Sequence, residues 1–205
     1  METLVLATHN RKKRLELESL LAPLGITLKT LGDFPDPIDV VEDGHSFAEN
    51  AALKASQQAV YLKHWALGED SGISVTALDN RPNIYSARFS GPDATDEGNN
   101  IHLLSELGET PLEKRGAFYT CHLSLADPSG EIRLTAEAHC HGRIRFHGSG
   151  SAGFGYDPLF EIPEYHRTFG ELGDAVKSVL SHRSRAIRMF LPKLQKLIQE
   201  TAAAA

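Results

Sequence analysis

Glu69-Asp70-Ser71-Gly72 follows the apolar run Trp65-Ala66-Leu67-Gly68, and carboxylates at the carboxyl end of a buried strand lie where α/β sheets build their sites. Hard oxygen donors of this kind suit Mg²⁺, which takes one or two carboxylates beside substrate phosphates and water. A pair of exposed turn carboxylates is the alternative reading. Glu42, Asp43 and Glu49 are further oxygen donors upstream. Thr8-His9-Asn10-Arg11-Lys12-Lys13 ends one strand-like run and opens a helix. Such a junction presents backbone N–H groups and the positive end of the helix dipole to an anion. Lys13, one turn in, would reach a phosphate placed there. The other reading is a Thr/Asn cap with a solvated basic first turn. Cations at a helix N-terminus are unfavourable without an anion, which supports the phosphate.

Two later stretches have a different chemistry. In Gly153-Phe154-Gly155-Tyr156-Asp157-Pro158, glycines on both sides of an aromatic let the backbone approach a ligand and leave the Phe154 ring available for stacking on a base. An aromatic plug packed into the core has the same pattern. Ser181-His182-Arg183, with Lys177 four residues before Ser181, places donors at a helix start capped by Ser181. An acceptor such as a purine carbonyl oxygen could be read there, although a His-Arg pair is often only surface.

The elements that must position these residues follow from periodicity. Leu4-Val5-Leu6-Ala7 is a short strand of the buried type. The helix after it has Leu17, Leu20, Leu21 and Leu24 on one face and Gly25 at its end. With a strand over Ile26 to Leu31 it makes a βαβ unit. Ser46 caps a second helix in a capping box with Glu49; its apolar face is Phe47, Ala51, Ala55, Ala59 and Leu62, and Asn50 and Lys54 share a side. Trp65 to Gly68 is a short strand closed by Glu69 to Gly72. Thr95 caps a helix over Asp96 to Leu107. Ala117 to Leu125 and Ile132 to His141 form a hairpin across Asp127-Pro128-Ser129-Gly130. From about Asp174 the chain is helical, and Pro192 should kink or divide it. The fold class is α/β: an elongated mixed central sheet flanked by helices, with two lobes and the site in a cleft between them. Residues 1–205 form a single domain, with about 115–145 the hairpin-rich part of the second lobe.

The bulk numbers restrict the function classes. The chain has 205 residues, a formal charge of −6 and 41% hydrophobic residues, enough for one sizeable core. A general nucleic-acid binder needs a basic footprint, which this charge argues against. No stretch approaches the roughly 20 apolar residues that cross a bilayer, and the opening run Met1 to Thr8 lacks the long apolar segment expected of a signal peptide. The two cysteines, Cys121 and Cys140, both fall in strand-like runs and suggest neither a disulfide framework nor a cysteine metal site. The expected setting is cytoplasmic.

Taken in order, Thr8-x-Asn10-x-x-Lys13, Glu49-Asn50-Ala51-x-x-Lys54-Ala55, Glu69-Asp70-Ser71-Gly72, Ser86-Ala87-Arg88, Gly153-Phe154-Gly155-Tyr156-Asp157-Pro158 and Ser181-His182-Arg183 resemble the inosine triphosphatase (Ham1/RdgB-type) family. The resemblance runs from about Leu4 to Leu191, and the Phe-Gly-Tyr-Asp-Pro and Ser-His-Arg motifs are specific in combination. It implies Mg²⁺-dependent hydrolysis of abnormal purine nucleoside triphosphates (ITP, dITP, XTP) to the monophosphate and pyrophosphate. It gives Thr8, His9, Asn10, Arg11, Lys12, Lys13 and Lys54 to the phosphates and Ser71 to the substrate. Asp70 would bind the metal and act as general base. Phe154, Gly155, Tyr156 and Asp157 would form the nucleoside pocket, and Lys177, His182 and Arg183 would contact the base. Glu42 would be the second metal ligand, with Glu69 beside Asp70 the other candidate, because Val41 stands where many relatives carry an acid. His9 stands where relatives often carry glycine. A homodimer is implied too. The alternatives are a Maf-like pyrophosphatase of pyrimidine or modified nucleotides and a non-catalytic nucleotide sensor.

Overall fold

Leu4, Val5 and Leu6 have no exposed surface: strand β1, Thr3–Leu6, is paired along both edges, and its side chains enter two core clusters, Leu4 and Leu6 one and Val5 the other. One neighbour is β2, Thr27–Thr30, the other β3, Trp65–Val75, and both run parallel to it. A parallel strand covered on both faces reads as an unbroken apolar run. Between β1 and β2 lies helix α1, Arg11–Leu21, ending near Gly25 in the left-handed region. The computed structural model describes Met1 and residues 3–203. The remaining strands are β4 Gly116–Ala126, β5 Ile132–Ile144, β6 Phe160–Ile162 and β7 Arg167–Thr168, and the sheet order is β2-β1-β3-β4-β5-β6-β7. β6 pairs antiparallel with β5 and β7 antiparallel with β6, so the sheet is mixed.

The other helices are α2 Phe47–Leu62, α3 Asp96–Leu107, α4 Phe169–Leu180 and α5 His182–Ala203. Ser46 accepts from the Glu49 N–H as a cap should, and Thr95 from that of Gly98. The Glu49 carboxylate reaches back to the His45 N–H at 2.7 Å and not to Ser46, so the expected capping box is displaced by one residue. Turn bonds at Asp127 to Glu131 close the β4–β5 hairpin.

Two expectations change, and two short strands are added. The strand that was to stop at Gly68 continues to Val75, carrying Glu69 to Gly72 inside it. Helix α5 is not divided at Pro192 but runs on through it; the C-terminal helical region is interrupted instead at Gly173 within α4, with φ +73° and ψ 178°, and at Ser181, whose backbone is extended. Strands β6 and β7 are three and two residues long, too short to show a period.

The described residues form two compact units, Met1–Asp70 with Cys121–Ala138 and the chain from Arg183 onward, and Ser71–Thr120 with His139–His182. The first has a core of Leu4, Leu6, Leu17, Leu21, Leu67, Leu123 and, from one stripe of α5, Ile187, Phe190 and Leu194. A second cluster joins Val5, Leu31 and Ala66 to Ala55 and Ala59 of α2. The core of the second unit includes Ile73, Val75, Leu103, Tyr119, Phe160 and Phe169. Strands β3, β4 and β5 each contribute to both units, so the hairpin's tip belongs to the first and its base to the second.

Candidate active site

Successive side chains of a strand face opposite ways, and at Glu69 and Asp70 this alternation gives two carboxylates two sets of partners. Both are buried. Asp70 takes its partners from α2: Lys54 Nζ lies 2.9 Å from Oδ1, and Asn50 Nδ2 donates to Oδ2 at 3.3 Å. Asn50 and Lys54 share one side of the helix. The helix comes this close because Gly68 has no side chain: a Cβ there would lie 2.1 Å from the Ala51 carbonyl oxygen and 2.8 Å from Ala55 N. The buried amide of Asn50 also accepts from the Gly44 N–H at 2.9 Å. It thereby ties the loop before α2 to the carboxylate.

Lys54 serves two acids, since Glu42 Oε2 is 3.0 Å from the same ammonium. Burial alone would lower the Lys54 pKa, but the charges of Asp70, Glu42 and Glu69 outweigh it and raise it. Burial pushes the Asp70 carboxyl above the ordinary range, and the attraction of Lys54 and Lys13 reduces that shift without cancelling it. Asp70 is thus a carboxyl readier than most to take up a proton, held beside two lysines.

Glu69 has a different environment. Its fully buried carboxylate lies 3.1 Å from Lys13 Nζ and 3.1 Å from Arg183 Nη2, and the Cys121 thiol points at it from 3.5 Å. Arg183 also pairs with Glu16. Burial works against the Arg183 charge, but Glu69 and Glu16 more than compensate and raise its pKa. A buried carboxylate with two cations is stable only as a complete set, and removing one partner would leave an unpaired buried charge.

At the start of α1, Asn10 Oδ1 accepts from the N–H groups of Lys12 and Lys13 at 3.0 and 3.1 Å, and Thr8 Oγ1 from that of Asn10 at 3.2 Å. The cap reading therefore holds for Thr8 and Asn10. The first turn still consists of Arg11, Lys12 and Lys13 with no acid among them, a charge arrangement that suits a bound anion. His9 pairs at 3.4 Å with the exposed Asp39.

In the second unit, Asp157 organises the aromatic loop. Its Oδ2 accepts from the Phe154 N–H at 2.8 Å and lies 2.7 Å from Lys177 Nζ. That ammonium sits 4.0 Å from the centre of the Phe154 ring, a cation–π contact. Gly153 is required here, with φ +77° and an added Cβ 2.1 Å from Asp157 Oδ2. Tyr156 is buried in the core, its hydroxyl donating to the Ser86 carbonyl at 2.7 Å; burial raises its pKa. Gly155 is held at both ends of its backbone, by the Asp96 carboxylate and the Asn100 amide of α3 at 2.9 and 3.0 Å. His182 is buried, its ring stacked on Tyr119.

The first unit thus gathers Lys13, Lys54, Asp70, Glu42, Glu69 and Arg183, and the second Phe154, Tyr156, Asp157, Lys177 and His182. Sequence patterns gave no role to Tyr119, Asp96 or Asn100; the last two were visible only as part of a helix. A family model described as the Ham1 family matches residues 4–193. The chain belongs to the Ham1 family. The match spans every motif quoted above. Among Ham1-type relatives, a dITP/XTP pyrophosphatase of Rhodopirellula baltica is 53% identical over 205 residues, covering 100% of this chain and 99% of its own. A dITP/XTP pyrophosphatase of an Exiguobacterium species is 49% identical over 90% of this chain and 93% of its own. A solved HAM1 protein from Coxiella burnetii superposes with a TM-score of 0.86 at 32% identity, covering 98% of this chain and 100% of that one. The mixed sheet with flanking helices is therefore the Ham1 fold.

Proposed function

We propose that this Ham1 chain hydrolyses abnormal purine nucleoside triphosphates, dITP and XTP together with ITP, to the nucleoside monophosphate and pyrophosphate. The observation that carries the reading is Asp70: a buried carboxyl with a raised pKa, held by Asn50 and facing Lys54. The names of the full-length relatives, dITP/XTP pyrophosphatases, supply the substrate class. In this reading Asp70 takes the proton of a water as its oxygen bonds to the α-phosphorus. The bond from that phosphorus to the β-phosphate bridging oxygen breaks, and pyrophosphate leaves. Charge neutralisation and in-line positioning supply most of the rate in such a step. Lys13, Lys54 and the basic turn His9, Arg11, Lys12, capped by Thr8 and Asn10, serve the phosphates, and Ser71 contacts the substrate.

Asp70 and Glu42 are hard oxygen donors that already share one cationic partner, Lys54, so the pair suits Mg²⁺. Among the described residues no group of three or more acids, histidines or cysteines is arranged to hold a metal. Substrate phosphates and water would complete the shell, as is usual for this ion. When bound, Mg²⁺ would neutralise phosphate charge and orient the oxygens. Glu69 suits this role less, because its carboxylate has no exposed surface and two cations of its own, Lys13 and Arg183, whereas Glu42 is partly exposed and shares a single lysine with Asp70.

Phe154 would stack on the purine, Gly155, Tyr156 and Asp157 would set the loop that holds it, and Lys177, His182 and Arg183 would face the 6-oxo group. Donors aimed at a carbonyl oxygen oppose the amino group of ATP and can reject it by roughly 10²–10⁵. A homodimer, Mg²⁺ and a cytoplasmic setting belong to the same proposal. The test is to incubate the protein with Mg²⁺ and ITP, XTP, dITP, GTP, ATP, dTTP and UTP, assaying pyrophosphate and orthophosphate separately. Pyrophosphate chiefly from ITP, dITP and XTP is the expected outcome. Release from dTTP or UTP would make the chain a Maf-like enzyme, and binding without hydrolysis would make it a sensor.

A further inference from the structure

His182 reads as a base-contacting residue, but a histidine at a helix start has no reason of its own to hold one orientation. Here its ring is stacked on the buried Tyr119 of β4, centroids 4.6 Å apart and planes 9° from parallel. Tyr119 is itself wedged by Phe160 of β6 at 4.7 Å and 55°. Phe160 in turn stacks on Phe169, the first residue of α4, at 5.5 Å and 18°. The imidazole is therefore the last ring of a four-ring column running into the core of the second unit. Stacking fixes the plane of a ring, and the plane fixes the directions in which its two nitrogens can point.

We propose that Tyr119 is a specificity-determining positioning residue, whose ring sets the plane of His182 and so the discrimination between 6-oxo and 6-amino purines. This rests on the reading of His182 as a base contact. Tyr119 belongs to the core of the second unit, whereas Lys13, Lys54, Glu42 and Asp70 belong to the first, so its effect falls on KM and on substrate preference, while kcat for ITP stays within a small factor. The ring stacks on the imidazole while the hydroxyl bonds the Tyr156 backbone, so phenylalanine keeps the contact that orients His182.

The test has two parts. In the wild-type protein, the His182 ring protons, assigned by their loss in H182A, should be displaced upfield by the ring current of the phenol face, and the displacement should persist in Y119F. Kinetically, kcat/KM for ITP relative to ATP should be unchanged in Y119F. In Y119L the ratio should fall roughly tenfold through a higher KM for ITP, the cost of orienting a ring that was previously fixed. If Y119L does not fold, Y119M, whose flexible thioether fills irregular gaps, is measured instead. Absence of the upfield displacement overturns the proposal, as does an unchanged ITP-to-ATP ratio in the leucine or methionine variant while H182A collapses it. If H182A itself leaves the ratio unchanged, the base-contact reading of His182 fails, a distinct result.

Discussion

Asp70 and Glu69 are neighbours of the same residue class in opposite situations, and the difference predicts what each substitution does. Asp70 retains a pKa above that of an ordinary carboxyl despite two nearby lysines. D70N removes the proton acceptor and keeps the shape. It should lower kcat by roughly 10²–10⁴, the usual range for a positioned acid–base group, with an unchanged circular dichroism spectrum. Wild-type turnover would remove Asp70 from the mechanism. In the metal-free protein the Asp70 titration has a definite sign. Because burial raises the carboxyl pKa, its midpoint, followed by carboxyl-carbon NMR, should lie above the ordinary value of 3.8. Lys54 lowers that pKa, so K54M should move the midpoint to higher pH, and should slow the reaction when Mg²⁺ is present. A midpoint that stays in place would mean that Lys54 does not act on this carboxyl. For Glu69 the expected result is structural as well as kinetic. E69Q leaves Lys13 and Arg183 without their shared counter-charge, and breaking a buried pair costs on the order of 3–5 kcal/mol, measurable by denaturant unfolding.

At the scale of elements, the active carboxylate depends on how closely α2 lies on β3, and Gly68 sets that approach. G68A places a methyl group 2.1 Å from a helix carbonyl oxygen. The helix must move, taking Asn50 and Lys54 with it. The expected result is a loss of roughly 1–3 kcal/mol, the range for overpacking, together with a fall in kcat. The control is G116A in β4, where the new methyl meets only the Thr76 hydroxyl at 3.8 Å and neither stability nor kcat should fall. Equal effects of the two would show that Gly68 matters only as a strand glycine. The same elements show what was legible in the sequence. Thr95 with the period of Asp96 to Leu107, the turn at Asp127 to Gly130 and the apolar run of β1 each carry a local cause, and each element forms where that cause puts it. The continuation of β3 through Glu69 to Gly72 carries none. Those residues are poor strand formers, and the cations that stabilise them there, Lys13, Lys54 and Arg183, are distant in sequence. The Tyr119–His182 stack and the Asp96 and Asn100 grip on Gly155 likewise join residues 55 to 63 positions apart, which no periodicity reports.

Across the whole molecule, the candidate residues separate largely by what they would touch, Arg183 being a base-contact candidate that lies with the first unit. The acids and lysines for the triphosphate lie in the first unit, the loop and histidine for the base in the second. The triphosphate is the same in every nucleoside triphosphate; only the base distinguishes ITP from ATP. A lost phosphate contact, or a lost stacking contact common to all purines, must therefore weaken both substrates by about the same factor, whereas a lost contact to the 6-position must weaken the preferred one more. K13A, which removes one cation facing developing phosphate charge and one of the two partners of buried Glu69, should lower stability, lower kcat/KM of the folded enzyme by roughly 10²–10³ and leave the ITP-to-ATP ratio within about threefold. F154A should raise KM for both purines by losing stacking worth roughly 1–3 kcal/mol per base, again with little change in the ratio. Only H182A should collapse it. Measuring kcat/KM for ITP and ATP in all three variants separates the roles, because the two quantities respond to different parts of the substrate. A ratio that collapses in K13A would mean that the phosphate-binding residues also select the base. The division of labour would then have to be abandoned, even with hydrolysis of ITP intact.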